Sequence, residues 1–170
     1  MLDYLSIHAQ KAYREIINIT EHPDLLFSND PALLSSEYAY NSTYLFGFNR
    51  LIRKNRITIP VLAASLNGLM DGIESYLRHY YTAKDFVITV SADPLVPAFK
   101  LSIVSYYKEH HQLDGHVSLD EVVEWYRMNA CWDGIKIVSE EKPNGILCED
   151  IEEAKTENIY PKHFRILNLT

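Results

Sequence analysis

The chain has 170 residues, 47% of them hydrophobic and 23% charged, with a formal net charge of −7. This composition suits one packed domain rather than a disordered chain, and the length sustains a core without staples. Two cysteines, Cys131 and Cys148, are too few for a disulfide framework, and no run approaches the roughly 18 apolar residues of a membrane helix.

In chain order, residues 3–19 read as an amphipathic helix, with Leu5, Ala9, Ala12, Tyr13, Ile16 and Ile17 on one stripe. Pro23 ends it. Asp30-Pro31 is a helix start, an N-cap acid followed by proline at the first helical position, and a second helix is expected over about 30–55. The stretch Glu37 to Tyr44 is rich in weak helix formers and has a period-two flavour within it. The clearest helix covers about 60–81, where Leu62, Leu66, Leu69, Met70, Ile73, Leu77 and Tyr80 build a broad apolar face. Ala64, Gly68 and Gly72 recur every four residues there, a spacing that predicts a closely packed neighbour.

Phe86, Ile88 and Val90 alternate with Val87 and Thr89, the signature of a short strand over 85–91. Asp93-Pro94 repeats the start signal, and Leu95, Phe99, Ile103, Tyr106, Tyr107 and His110 predict a fourth helix. Ser118-Leu119-Asp120-Glu121 is a capping box, so a fifth helix follows to about Ala130, burying Val122, Val123 and Tyr126. Beyond Trp132-Asp133-Gly134, Ile135–Val138 and Ile146–Cys148 read as a hairpin around Pro143-Asn144-Gly145, and Phe164–Leu169 as one more strand. The expectation is a single α+β domain over 1–170, predominantly helical. About five helices would occupy 1–131, with a small C-terminal antiparallel sheet and an acidic segment in 132–170.

Candidate chemistry is sparse. His111, Asp114 and His116 lie within eight residues of sequence rich in imidazole and carboxylate, donors suited to zinc or iron, and they are the candidate ligands of a metal-dependent hydrolase. Against this, His110 and His111 are adjacent and diverge by about 100° on a helix, and no established metal signature is present. Cys131 reads as a packed thiol at a helix end, and Cys148 beside Glu149 and Asp150 as a poor nucleophile. There is no nucleophile elbow, Walker lysine or Gly-rich phosphate loop, so no cofactor is expected. The group Arg50, Arg53, Lys54 and Arg56 reads as a solvated helix end.

Charge is unevenly placed. Residues 1–112 carry 10 Lys+Arg against 11 Asp+Glu, whereas residues 113–170 carry 6 against 12. The acids Glu140, Glu141, Glu149, Asp150, Glu152 and Glu153 stand near Trp125, an aromatic anchor beside a field of one sign. Such a surface repels nucleic acid and anionic membrane and attracts a basic protein. The expected function is therefore a small acidic binding module that neutralises or regulates a basic partner, as an immunity protein or antitoxin does. An acid near the N-terminus, where a secretory leader needs basic residues, points to the cytoplasm. A homodimer through the Gly-containing helix face is a further expectation.

Overall fold

The computed structural model of the chain describes residues 25–45, 58–93, 98–111, 115–129 and 161–168. Among these, a 3-10 turn (Pro31–Leu33) runs into helix α1 (Leu34–Tyr40), followed by strand β1 (Ser42–Leu45) and the long helix α2 (Ile59–Tyr80). Strands β2 (Phe86–Asp93) and β3 (Ala98–Ser105), helix α3 (Leu119–Asn129) and strand β4 (Lys162–Leu167) complete the order. The four strands form one antiparallel sheet in the order β1-β3-β2-β4. No described helix is long and apolar enough to cross a membrane.

The predominantly helical expectation is corrected: the described residues hold three α-helices and a four-stranded sheet drawn from both halves of the chain. The expected fourth helix is strand β3. Residues four apart share a face in a helix and in a strand alike, so Phe99 and Ile103 fitted both periods. Leu101 decides between them, because it is fully buried with Phe99 and Ile103 in the same core, two residues from each. Asp93 is the last residue of β2, and β3 begins at Ala98 within the stretch expected to be helical. The helix expected over 30–55 stops at Tyr40, and Ser42–Leu45 passes into the sheet.

Other expectations hold. Asp30 caps the 3-10 turn, its carboxylate accepting from the Ala32 amide at 2.9 Å. Helix α2 buries Leu62, Leu66, Leu69, Met70, Ile73 and Leu77 as its spacing requires, although Tyr80 is exposed. Gly68 is exposed, and among the described residues nothing stands near the position of a Cβ there, so the close neighbour expected of this face is not among them. The capping box forms: the Glu121 amide donates to Ser118 Oγ at 3.2 Å, and the Ser118 amide donates to the Glu121 carboxylate at 2.7 Å. Residues 3–19, the hairpin over 135–148 and the acids from Glu140 to Glu153 lie outside the described residues.

One core joins these elements. Phe86, Ile88, Val90, Phe99, Leu101, Ile103 and Leu167 point from one sheet face toward α2 and toward Val122, Val123 and Tyr126 of α3. Tyr126 packs on Phe99 with ring centroids 4.6 Å apart. Burying each such side chain contributes on the order of 2 kcal/mol. The alternate residues of the same strands occupy the opposite face, where Val87, Ser102 and Val104 are also buried and against which α1 packs.

Candidate functional site

That opposite face is ordered in rows set by the register. The first row is Val104, Val87 and Ile166; the second is Ser42, Ser102, Thr89 and Phe164; the third is Tyr44, Lys100, Ser91 and Lys162. Polarity thus rises along the strands, from aliphatic to hydroxyl to ammonium. A cleft of about 290 Å³ lies over these rows, with Leu34, Ser35 and Tyr38 of α1 as one wall and His110 and His111 contributing to its lining. No acidic residue is among the described residues lining it. Lys100 Nζ stands 4.3 Å from the centroid of the Tyr38 ring, a cation–π contact that sets lysine and wall together.

Helix α1 is short and would not persist alone. A buried polar knot holds it against β3. Glu37 is 1% exposed, and its carboxylate accepts from the Ser28 amide at 2.6 Å, the Ser105 amide at 2.8 Å and the Ser105 hydroxyl at 3.0 Å. The Lys84 ammonium donates to the Ser28 carbonyl and, at 3.2 Å, to Ser105 Oγ. The Tyr107 hydroxyl donates to the same Ser28 carbonyl at 3.0 Å. Burial pushes the Lys84 ammonium down from its ordinary pKa, with the Glu37 charge opposing, and pushes the Tyr107 phenol up. Nearby, Asn41 clamps Leu26 by two bonds, accepting from its amide at 2.8 Å and donating to its carbonyl at 2.7 Å.

A serine within reach of a lysine of lowered pKa is also the arrangement of a serine nucleophile with an amine base. Here Ser105 is 1% exposed and its hydroxyl is committed to Glu37. No substrate reaches it, so the knot is structural. It was not legible as a motif, because its hydrogen-bonded members are 9 to 79 residues apart in sequence.

The residues expected from sequence are dispersed. His111 lines the sheet-face cleft, with Nδ1 3.2 Å from the Tyr107 amide and 3.1 Å from the Tyr107 carbonyl. His116 is exposed and packs against the rings of His163 and Phe164, at centroid distances of 5.1 and 4.5 Å. Asp114 lies outside the described residues, and among those described no three His, Cys, Asp or Glu side chains are placed to hold a metal ion. Trp125, the expected aromatic anchor, is half-buried against the core. Around it α3 exposes Asp120, Glu121, Glu124 and Met128. Sequence reading missed Lys100 and Lys162, whose only signal is a lysine placed within otherwise strand-like runs.

The chain matches no protein-family model, no curated protein and no solved structure.

Proposed function

We propose that this protein is a binding module whose acidic C-terminal third docks on a basic protein and neutralises or regulates it, in the manner of an immunity protein or antitoxin. The observation that carries this reading is the charge asymmetry, 12 acids against 6 basic residues over 113–170 beside near balance over the rest. Helix α3 extends the same pattern, since Asp120, Glu121 and Glu124 are exposed along a helix that also bears Trp125 and Met128. Acids steer a basic partner toward the surface, and the partly exposed apolar groups supply contact area once it arrives.

The test is retention of a basic protein from native lysate on the immobilised chain, at low and at high salt. Screening weakens a charge-steered complex, so retention falls as salt rises. Reversing Glu124, Glu149, Asp150, Glu152 and Glu153 to lysine slows association with the retained protein while thermal unfolding stays cooperative. Unchanged association by the reversed variant overturns the proposal.

A further inference from the structure

We propose that residues 115–117 form an acid-released clasp on the outer edge of β4, opened when the rings of His116 and His163 take up protons. Its position, its bonding and the charges around it support this.

Among the described residues β4 ends the sheet, in the order β1-β3-β2-β4, and its ladder with β2 uses one of its two edges. On the other edge the Val117 amide donates to the Lys162 carbonyl at 3.0 Å, and the Lys162 amide donates to the Gly115 carbonyl at 3.4 Å. His116 stands opposite Lys162 in a parallel bridge. Residues 115–117 thus cover the start of an edge that would otherwise offer its amides and carbonyls to another strand. The ends of this strap suit a hinged piece. Gly115 has φ +75°, a conformation natural to glycine, and beyond Val117 the capping box of Ser118 holds α3 without help from β4.

Two imidazoles close the clasp. His163 Nδ1 lies 2.9 Å from the Val117 carbonyl, a bond from β4 to the strap. In return the Phe164 amide donates to His116 Nδ1 at 3.4 Å. An amide donates only to a bare ring nitrogen, so the closed clasp requires neutral His116 with its proton on Nε2. A second proton goes to Nδ1, sets N–H against N–H, and removes that bond. With ring centroids 5.1 Å apart, two imidazolium groups also repel each other.

The surrounding charges favour release. Burial first, then the charges of His116 and Arg165, keep the closed His163 below its ordinary 6.5. Arg165 is itself held by Asp71 and Glu74 of α2. The hollow beside His163 is lined by Pro60, Ala63, Ala64 and Asn67 of α2 and by Asp120, an exposed and therefore screened acid. Glu121 attracts a charged His116, but it belongs to α3, which begins where the strap ends. That attraction persists whether or not the strap leaves β4. The closed form thus holds protons less readily than the open one, so acid shifts the balance toward the open form.

The experiment measures amide hydrogen exchange of the full-length protein by NMR at about pH 7.5 and 5.5, corrected for intrinsic rates. Protection of the Val117, Lys162 and Phe164 amides should fall about tenfold or more toward the lower pH. At that pH these amides should exchange about tenfold or more faster than those of the β3 core, which marks local opening. In the double variant H116Q/H163Q, which keeps polar partners but cannot titrate there, the fall should vanish. Nitrogen-15 shifts of the wild-type side chain should show neutral His116 protonated on Nε2. The proposal is overturned by unchanged protection in wild type, by protection equal to that of β3, or by a fall that persists in the double variant. Neutral His116 protonated on Nδ1 overturns it on the wild-type protein alone, even if the double variant does not fold.

Discussion

Glu37 and Ser105, 68 residues apart, are joined twice: the Ser105 amide donates to one carboxylate oxygen of Glu37 at 2.8 Å and the Ser105 hydroxyl to the other at 3.0 Å. This pair fixes α1 to the end of β3, and through α1 it fixes the wall of the outer cleft. A carboxylate with so little access to solvent is tolerated only because three donors and the Lys84 ammonium surround it.

Glu37→Ala therefore leaves the Ser28 and Ser105 amides without their acceptor and should lower unfolding free energy by about 3 kcal/mol in urea denaturation. Glu37→Gln should also destabilise, because one carboxamide face presents N–H groups to an N–H donor. A loss below about 1 kcal/mol for both variants would show that the knot relaxes or admits water instead.

Arg165 of β4 reaches across to α2, with Nη1 2.6 Å from Asp71 and 3.0 Å from Glu74, and Nη2 2.8 Å from Asn67. Asp71 is largely exposed, so solvent weakens this network. Arg165→Met should cost about 1 kcal/mol at low salt, and the difference from wild type should shrink in high salt. A salt-independent loss would assign the effect to packing of the arginine stem.

Helix α2, the capping box of α3 and strand β2 were legible because each is decided by local pattern. In α2 the apolar spacing over six turns admits no strand, and Ser118 with Glu121 is a motif closed within four residues. Strand β3 was not legible, because Phe99 and Ile103 satisfy both periods and the pairing of Lys100 with Ser91 lies outside any local window. The site shared that fate. Rows across a sheet exist only once the register is known, so Lys100, Ser91 and Lys162, separated by 9 to 71 positions, carry no sequence signature together. The histidines of 110–116 did attract notice by proximity in sequence, yet His111 lines the cleft while His116 packs on β4.

Ser118→Ala removes the hydroxyl that accepts from the Glu121 amide, and should cost about 1 kcal/mol. The Ser118 hydroxyl and amide together hold the Glu121 carboxyl below its ordinary 4.5. A depressed carboxyl stabilises the fold fully above that ordinary value, and the contribution is lost as pH falls through the lower folded-state value. The gap between wild type and Ser118→Ala should therefore narrow at acid pH without closing, since the bond from the Glu121 amide does not titrate, as measured by denaturation at a series of pH values. A gap that stays constant into strong acid would mean the carboxylate takes no part.

His163 provides the second pH-dependent contribution, of the opposite residue type. It is half-buried on β4, with Nδ1 2.9 Å from the Val117 carbonyl and the His116 ring 5.1 Å away. Burial is the main cause that lowers its pKa below 6.5; the Val117 carbonyl opposes the shift, and the charges of His116 and Arg165 add to it. The unfolded chain thus binds a proton near pH 6.5 that the folded chain still refuses. Stability is full above that pH, falls as pH drops from 6.5 toward the folded-state value, and levels off below it. His163→Gln keeps a donor for the Val117 carbonyl and removes the titration. The variant's melting temperature should therefore change less than wild type's between about pH 7 and 5, where carboxylates contribute little. Superimposable pH profiles, or an NMR titration placing the folded His163 above 6.5, would refute this assignment.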